Sequence, residues 1–508
     1  MAGLINQAPE GKGGIGLLHA SRFRLRRHGI SAAVAIGAVV ALTSSALASV
    51  NAIKVVSTDP YTNTDSYHKT EVEPDTFSSG NTIVSTFQMG RFTDGGASNL
   101  GFATSTDGGT TWTSGGLPGL TVYSTPPGPY ARATDPAVGY DAKHGQWLIV
   151  ELDSLTNSGF SGDAVTVSRS TDGVTWGNPI TVATATGFQS FDSTWISCDG
   201  WSGSPNYGHC YVEFDDNGSG NILHMSTSLD GGQTWHAASV PGSQVVIGGK
   251  PLSQPNGTVV VPIDDGFESS AEAYVSTNGG MSYTGPFAIS SFQESFVGGG
   301  LRSPNIVSAD VDNTGKVYVV FYDCRFRSGC SSNDIVISTS TNGQTWTPVA
   351  RVPIDPTSST VDHFLPGIVV KPGTGGATAE LAVQYWYYDN ANCSTCRLKV
   401  GLIKSTNGGS TWGAATTLAG PFTTTWYPNT TQGYMVGDYS SASYVTGGVL
   451  AVFAGAKSSP CQLGANNCKV TMVAPKTPVV GAAGSARGSD RVATHLGRVP
   501  RNGLKSTY

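Results

Sequence analysis

The chain has 508 residues, of which only 13% are charged, and it contains 66 Gly and 19 Tyr. Both ends are basic, so residues 51–475 hold 18 Lys or Arg against 33 Asp or Glu, a net charge of −15. Such an acidic surface excludes nucleic acid and anionic lipid as expected partners. Few charges combined with many glycines and aromatic residues favour strands and tight turns.

Residues 1–48 are predicted to be an export signal. Four arginines between Arg22 and Arg27 precede an apolar run over 30–42, and Ala46-Leu47-Ala48 follows as a small-residue cleavage site. The apolar run is short for a membrane span. The sequence therefore predicts a secreted, extracellular protein without membrane contact after cleavage. An uncleaved N-terminal anchor is the alternative.

A turn phrase recurs six times between residues 105 and 412. Its clearest copy is Ser105–Trp112, and the closing aromatic residues stand at positions 112, 176, 235, 283, 346 and 412. Steps of 64, 59, 48, 63 and 66 residues indicate a repeat architecture. In each copy an Asp or Asn can bond forward to backbone amides while glycines supply positive φ. The phrase therefore predicts a hairpin turn whose aromatic residue opens the next strand.

Each repeat is predicted to contain four strands. In the second repeat they cover 135–140, 146–153, 164–169 and 180–182, with the turn phrase between the third and fourth. Four antiparallel strands per repeat form one blade of a β-propeller, an all-β fold. First strands are predicted to start near Glu73, Asp135, Asp192, Lys250, Arg302, His363 and Asp438. Seven starts favour seven blades, with six as the alternative.

The two ends of the predicted propeller, residues 49–475, are expected to meet. The last repeat lacks the turn phrase and a fourth strand, whereas 53–56 is an orphan strand before the first repeat. We predict that the orphan strand completes the last blade, because this removes two exposed sheet edges. Residues 476–508 are rich in Gly, Ala, Ser and Arg without strand periodicity, and are predicted to be a disordered basic tail.

All eight cysteines fall into close pairs, as in exported proteins. The pairs are Cys198/Cys210, Cys324/Cys330, Cys393/Cys396 and Cys461/Cys468. Local disulfides are the simplest of the 105 connectivities that eight cysteines allow. The CxxC spacing of the third pair also fits a redox or zinc motif, but the sequence has no second CxxC and no nearby His cluster. A disulfide within one loop is therefore the predicted state of that pair.

The phrase S-x-D-x-G-x-T-W resembles the Asp-box, or bacterial neuraminidase repeat, of the sialidase superfamily. The resemblance covers roughly residues 60–475 and implies a propeller in which the box is a structural turn. Asp135–Asp141 and Gly437–Tyr439 are similar to segments of secreted bacterial sialidase-like proteins. Sialidases of this family hold the substrate carboxylate with three arginines, and they use a Tyr nucleophile assisted by Glu and an Asp acid/base. Their Phe/Tyr-Arg-Ile-Pro phrase is absent before Ser105, and Leu301–Pro304 is the nearest echo.

Strand alternation places the boxes at one end of the propeller and the first-strand starts at the opposite end, around the central channel. Crowded carboxylates there would raise one another's pKa and could perform acid–base chemistry on a sugar. The predicted catalytic residues are Asp135, Asp192, Glu73, Tyr439 and His363. The predicted substrate-binding residues are Arg302, Arg132, Arg325 and Asp438. The resemblance implies Asp135 or Asp192 as acid/base, Tyr439 with Glu73 as the nucleophilic pair, and Arg302 with Arg132 on an acidic sugar.

These features predict a monomeric sialidase-like glycoside hydrolase that acts on an extracellular glycan or glycoconjugate. A non-catalytic propeller that binds a glycan or protein is the first alternative, and the missing arginine phrase favours it. A polysaccharide lyase that uses His363 and Tyr439 is the second. No cofactor is expected, because no metal-binding His spacing or phosphate loop is present. Paired acids on loops could hold a structural calcium ion, although EF-hand spacing is absent.

Overall fold

The computed structural model describes residues 52–242, 245–458, 460–480, 482–488 and 490–491. Regular structure within these ranges is β-strand, apart from four single-turn 3-10 helices at Asn217–Ser219, Ser328–Cys330, Gly376–Thr378 and Thr424–Trp426. Over the same ranges, no helix has the length and apolar character needed to cross a membrane. The predicted export signal at 1–48 lies outside the described residues.

The strands follow one another in short succession along the chain. The first third contains β1 (Ile53–Val55), β2 (Glu71–Ser79), β3 (Thr82–Arg91), β4 (Ala97–Ser105), β5 (Thr113–Gly116), β6 (Arg132–Asp141), β7 (Gln146–Ser154), β8 (Ala164–Ser170), β9 (Ile180–Thr184), β10 (Phe191–Cys198) and β11 (Cys210–Asp216). The middle contains β12 (Ile222–Ser228), β13 (His236–Ala237), β14 (Leu252–Ser253), β15 (Val259–Asp264), β16 (Ser270–Ser276), β17 (Thr284–Ser291), β18 (Ser308–Val311), β19 (Val317–Asp323), β20 (Asp334–Ser340), β21 (Ala350–Arg351) and β22 (Asp362–Val370). The last part contains β23 (Leu381–Tyr388), β24 (Arg397–Ser405), β25 (Thr411–Ala414), β26 (Thr416–Thr423), β27 (Asn429–Thr430), β28 (Gly433–Tyr434), β29 (Ser441–Val445), β30 (Gly448–Ala456), β31 (Val470–Pro475), β32 (Ala482–Gly488) and β33 (Asp490–Arg491).

The strands pair antiparallel into sheets that form a β-propeller, as predicted. Four sheets have four strands each, in the orders β10-β11-β12-β13, β14-β15-β16-β17, β22-β23-β24-β26 and β29-β30-β31-β1. A further sheet, β18-β19-β20-β21, is extended by β33. An eight-stranded sheet joins β2–β5 to β6–β9 through one residue pair, Ala97 with Ala133. The innermost strands β2, β6, β10, β14, β18, β22 and β29 contact one another in that order, and β29 contacts β2.

Strand predictions from the repeats hold best in the second repeat. There the strands β6 to β9 contain all four predicted segments. The prediction differs from the structure near Arg302, because β18 begins only at Ser308. Pro304 lies between them and has no backbone N–H to contribute to a ladder. Arg302 is therefore on a connecting segment before the innermost strand of its sheet.

The prediction that the orphan strand completes the last sheet is confirmed. β1 pairs antiparallel with β31, with Ile53 opposite Pro475 and Val55 opposite Val473. The expected absence of strands after 475 differs from the structure, because β32 pairs with β25 and β33 pairs with β21. β33 extends the edge strand β21 of a propeller sheet, whereas β32 forms a separate two-stranded sheet with β25. Most of the remaining tail lies outside the described residues.

The repeated turn has the hydrogen bonds that its sequence predicts. Asp107 Oδ1 accepts from the amides of Thr110 and Thr111 at 2.9 and 2.8 Å, and Ser105 Oγ accepts from the amide of Gly109 at 2.8 Å. Gly109 has φ +89°, a conformation that favours glycine. Trp112 Nε1 closes the turn by donating to the carbonyl oxygen of Gly109 at 3.1 Å. These bonds hold the link between the third and fourth strands.

Middle strands of the sheets form the core. Every residue of β11, β15 and β19 is buried, because sheets pack against both faces of these strands. β15 and β19 are consequently apolar up to their final Asp, whereas β11 also buries Glu213, Asp215 and Asp216. All four predicted disulfides are present, joining Cys198 to Cys210, Cys324 to Cys330, Cys393 to Cys396 and Cys461 to Cys468.

Polar side chains connect neighbouring innermost strands around the channel. Asp75 on β2 accepts a hydrogen bond from the amide of Val138 on β6 at 2.8 Å. Asp310 on β18 does the same for the amide of Val370 on β22 at 2.6 Å. These bonds use backbone donors that no strand partner reaches. They set the relative position of the strands from which the site is built.

Candidate functional site

Six of the predicted first-strand positions converge on one cavity of about 290 Å³. Residues separated by more than 360 positions in the chain therefore share a pocket, as the radial arrangement of sheets predicts. The titratable side chains that line it are Glu73, Asp135, Asp192, Lys250, Glu268, Arg302, Asp438 and Tyr439. Trp195 and Leu301 add apolar surface.

A repeated β-bulge carries Glu73 and Asp135, two of the acidic residues that line this cavity. The ladders of β2, β6, β10 and β22 each skip two residues at the same place, and one residue of each bulge has positive φ. Those residues are Glu73 (φ 61°), Asp135 (φ 48°), Ser193 (φ 47°) and Leu365 (φ 47°). A bulge redirects a side chain that regular alternation would place on a sheet face. Positive φ is costly for such residues and is typical of functional sites.

Asp135 and Asp192 accept hydrogen bonds from one shared donor, the backbone N–H of Ser193. The distances are 3.2 Å to Asp135 Oδ2 and 3.0 Å to Asp192 Oδ1. Burial and the neighbouring Asp135 carboxylate raise the pKa of Asp192 to about 7. Burial and the nearby Asp438 carboxylate also raise the pKa of Asp135. Two acids this close cannot both be ionised cheaply, so near neutral pH the pair holds a proton.

Asp135 is better prepared than Asp192 to carry the negative charge of the pair. Its second oxygen accepts a hydrogen bond from the Thr134 hydroxyl at 3.0 Å. Arg302 and Arg91 also act to lower its pKa, against the larger effects of burial and Asp438. Hydrogen bonds and cations favour the ionised form of a carboxyl group. The proton therefore belongs preferentially on Asp192.

Glu73 is buried beside the pair and is fixed by two neighbours. One oxygen accepts a hydrogen bond from Gln88 Nε2, and the other lies 3.4 Å from the donating amide of Asp438. Burial, Asp135 and Asp438 raise the pKa of Glu73 well above its usual range. Gly437 makes this approach feasible, because a Cβ there would lie 2.7 Å from the Cα of Glu73.

The expected nucleophilic pair of Tyr439 and Glu73 is not formed in the structure. The Tyr439 hydroxyl donates instead to the carbonyl oxygen of Pro136 at 2.8 Å. Burial, Glu73 and Asp135 raise the pKa of the phenol well above its usual range, so the phenolate is disfavoured. The Tyr439 ring packs edge-on against Trp195, with 5.1 Å between ring centroids. In this arrangement Tyr439 forms part of the cavity wall.

Two cationic side chains reach the cavity, and they differ in their partners. Arg302 forms a two-pronged ion pair with Asp438, with Nε 2.7 Å from Oδ1 and Nη2 bonded to Oδ2. Lys250 is 4% exposed, and its Nζ lies 3.4 Å from the centroid of the Trp195 ring. Burial lowers the pKa of Lys250 to about 8, against opposing effects of Asp75 and Asp310.

Three predicted site residues, Arg132, Arg325 and His363, do not line the cavity. Arg132 pairs with Asp94 at 2.6 Å, and Arg325 pairs with Asp323 at 2.6 Å. His363 is buried, and its Nδ1 donates to the carbonyl oxygen of Asn333 at 3.2 Å. Burial lowers its pKa and favours the neutral ring. A convergence of three arginines on the pocket, which the resemblance implied, is thus not observed among the described residues.

The cluster of Asp334, Asp355 and His363 is the place where a structural calcium ion would be expected. Each of these residues offers a ligand atom within 4.8 Å of the others. Both carboxylates, however, accept hydrogen bonds from the same two guanidinium groups, those of Arg327 and Arg351, at 2.7–2.8 Å. Two cations already balance two anions there. The cluster is therefore a buried charge network and does not fit calcium.

Sequence reasoning missed Glu268 and Trp195 as cavity residues. Glu268 lies in the loop between β15 and β16 with φ 49°, and burial raises its pKa. Loops carry no periodic pattern that would reveal such a position. Trp195 is the residue at which the β10 ladder resumes after its bulge. The available signal was a bulged acidic residue or Ser followed by Pro or Thr, which occurs in three innermost strands as Glu73-Pro74, Asp135-Pro136 and Ser193-Thr194.

Several solved structures are similar in fold to this chain. The Hadza microbial sialidase Hz136 is 16% identical over 69% of this chain and 66% of that chain, with a TM-score of 0.42. The intramolecular trans-sialidase from Ruminococcus gnavus is 12% identical over 63% of this chain and 90% of that chain, with a TM-score of 0.43. A protein of unknown function from Dyadobacter fermentans is 19% identical over 70% and 99%, also with a TM-score of 0.43. No family model and no curated protein matches the sequence.

Proposed function

We propose that this chain is a secreted sialidase-like glycoside hydrolase that cleaves extracellular glycans in the cavity between Asp135, Asp192 and Arg302. One observation carries the proposal: Asp135 and Asp192 share the N–H of Ser193 at the wall of an open pocket. In most glycoside hydrolases a protonated carboxyl group and an ionised one act together on the scissile bond. A coupled pair supplies both forms at the same pH.

In the proposed reaction Asp192 is the general acid. Its pKa of about 7 keeps much of it protonated near neutral pH, so it can donate to the leaving glycosidic oxygen. Asp135 stabilises the positive charge that develops on the sugar ring, since its carboxylate is held by Thr134 and Ser193. Gln88 Nε2 donates to Glu73 and to the Thr134 hydroxyl oxygen, and that hydroxyl donates to Asp135. Water then attacks the anomeric carbon and gives its proton to the Asp192 carboxylate, which restores the general acid.

The cavity suits one sugar ring. A volume of about 290 Å³ is at the lower end of the range for ligand pockets. Trp195 and Tyr439 offer apolar and aromatic surface beside the polar groups, a combination that matches a sugar's two kinds of face. The four disulfides agree with an extracellular location, and the proposed export signal is 1–48. The proposed unit is a monomer.

The proposed propeller has seven blades, and its boxes lie at the end opposite the cavity. The closed succession of innermost strands from β2 to β29 supports this number. Alternating strand directions support the placement, because each box is attached to the far end of a third strand, one strand length away from the bulged end. Catalytic residues and structural turns would then occupy separate ends.

Two other functions make different predictions. A glycan-binding propeller without catalysis is favoured by the ion pair between Arg302 and Asp438, which leaves Arg302 already neutralised. A lyase is less well supported, because His363, its proposed base, lies outside the cavity.

The test is a panel of fluorogenic glycosides, sialosides first and then uronides and neutral sugars, followed by natural glycans with product analysis. Release of free sugar supports the hydrolase. Retention of the glycan on the protein without product would replace it with the binding function, and an unsaturated product that absorbs in the ultraviolet would replace it with a lyase.

A further inference from the structure

Lys250 has an unusual position among the charged groups of the molecule. Its side chain is more than nine-tenths buried, yet it lines both the catalytic cavity and a second cavity of about 340 Å³ beside the innermost strands. The Nζ atom lies against the ring of Trp195 at 3.4 Å from the centroid and 5.7 Å from that of Tyr439. Among the described residues, no carboxylate lies within 4.0 Å of it and no oxygen accepts a hydrogen bond from it.

An ammonium group without an acceptor in a buried position is costly. The aromatic rings compensate part of the lost hydration, but a ring face accepts no conventional hydrogen bond. The three N–H groups of Lys250 therefore retain their capacity to bind an acceptor that enters from the cavity. This distinguishes Lys250 from Arg302, whose guanidinium already donates two bonds to Asp438.

Balancing the charges inside the protein is the obvious structural role for Lys250. Asp75 and Asp310 are the acids that act most on its pKa from the channel side. Each of them, however, already accepts a backbone amide, from Val138 and Val370 respectively, and neither forms an ion pair with Lys250. Their influence is therefore at longer range, and it does not satisfy the donors of the ammonium group.

The charge state of the cavity also favours an anion. Burial raises the pKa of Asp192 to about 7 and that of Glu73 well above its usual range, so protons neutralise part of this acidic group near neutral pH. Arg302 and Asp438 cancel one another. Within the described part of the chain, Lys250 then remains as a positive charge without an ion-pair partner, in a buried setting where a charge-assisted hydrogen bond is strong.

We infer that Lys250, together with the face of Trp195, is the receptor for a carboxylate on the sugar and therefore selects acidic over neutral glycans. The inference rests on the proposed function in that it takes the cavity to be the glycan site. It assigns the selection of acidic glycans to Lys250, which takes no part in the Arg302–Asp438 ion pair. Arg302 then keeps Asp438 in position beside Glu73 and does not bind the substrate carboxylate directly.

The experiment measures binding without turnover. Calorimetric titrations compare glucuronic acid and N-acetylneuraminic acid with their methyl esters, which keep the ring and remove the charge. The proteins are the wild type, Lys250→Met, Lys250→Gln, Lys250→Arg and the control Lys371→Met, whose lysine forms a partly exposed ion pair with Glu380. Thermal unfolding of each protein establishes that it is folded before titration.

We expect the wild type to bind one of the acids at least about tenfold more tightly than its ester. Lys250→Met and Lys250→Gln should bring this ratio close to one, whereas Lys250→Arg and Lys371→Met should keep it. A ratio unchanged by loss of the lysine, or a wild type that binds no acid or binds acid and ester equally, would overturn the inference. If only one neutral variant folds, that variant decides.

The outcome is separable from that of the proposed hydrolysis. Acid-selective binding that depends on Lys250, with no product from any glycoside, would reject the hydrolase and keep Lys250 as the receptor of a binding site. Hydrolysis with no acid preference would support the hydrolase and reject Lys250 as the receptor for a carboxylate.

Discussion

The guanidinium of Arg302 donates two hydrogen bonds to the carboxylate of Asp438, although the residues are 136 positions apart in the chain. The pair joins the segment before β18 to the segment before β29 at the edge of the cavity. Substitution of only one member of such a pair destabilises the protein, because the remaining charge is poorly solvated. Its contribution can therefore be measured with single and double substitutions.

We predict that Arg302→Met and Asp438→Asn each lower the free energy of unfolding by roughly 1–3 kcal/mol, and that the double variant loses less than the sum of the two. Urea denaturation of the four proteins gives the coupling energy. The pair Lys371 and Glu380, more exposed to solvent, is a matched control that should show a much smaller coupling. Additive losses at Arg302 and Asp438 would contradict the structure.

Asp192 should make the stability of the protein depend on pH. Its pKa rises from an ordinary 3.8 to about 7 on burial, so the folded state binds the proton more tightly than the unfolded chain does. The protonated Asp192 carboxyl group contributes its full stabilisation at pH values below the ordinary pKa of 3.8, and this stabilisation is lost as the pH rises towards 7. The free energy of unfolding of Asp192→Asn relative to that of the wild type should therefore increase as the pH rises from 4 to 8, by on the order of 2–4 kcal/mol. Denaturation at several pH values measures this gain, and a difference that is constant with pH would rule out the raised pKa.

The repeated turn provides its own comparison between Asp and Asn. Asp107→Ala removes the acceptor for the amides of Thr110 and Thr111 and should cost about 1 kcal/mol. Asp107→Asn should cost less, because Asn407 makes the equivalent bond to the amide of Thr411 at 2.9 Å in another copy. Chemical denaturation compares both variants with the wild type. Equal effects of Ala and Asn would show that the side-chain oxygen is unimportant there.

Deletion of residues 52–56 should weaken the last sheet. It removes the pairing of β1 with β31 and the buried side chain of Val56. We expect a loss of roughly 2–4 kcal/mol and increased self-association, since β31 becomes an exposed edge. Thermal unfolding and light scattering measure the two effects. Lys54→Ala, which keeps the strand pairing, is the control. If the deletion variant were as stable and as monomeric as Lys54→Ala, β1 would not be needed to complete the last sheet.

The repeats made the architecture and much of the cavity predictable from sequence. Glu73, Asp135 and Asp192 were expected to meet because they stand at the same place in successive repeats, and the bulge brings them into one pocket. His363 occupies a similar place in sequence but lies two residues before Leu365 of its bulge, and its ring packs against Tyr385, with 5.4 Å between centroids, outside the cavity.

Other residues depend on distant partners that a single repeat does not reveal. Arg132 is drawn away from the cavity by Asp94 and by the ring of Phe92, 4.0 Å from its guanidinium carbon. Glu268 reaches the cavity from a loop, and loop conformation obeys no repeat. The role of Lys250 could not be read from its sequence position either, because it depends on the absence of acceptors around its Nζ among the described residues.

If Asp135 and Asp192 together cleave a glycosidic bond, turnover depends on both carboxyl groups, and isosteric variants measure that dependence. With the best substrate of the panel, kcat is measured for the wild type, Asp135→Asn, Asp192→Asn and the control Asp172→Asn, which changes a turn residue to the one found in other copies. We predict that each cavity variant loses at least about a hundredfold in kcat while Asp172→Asn stays near the wild type. Hydrolysis by Asp135→Asn or Asp192→Asn at the wild-type rate would show that the carboxyl pair does not carry out the reaction.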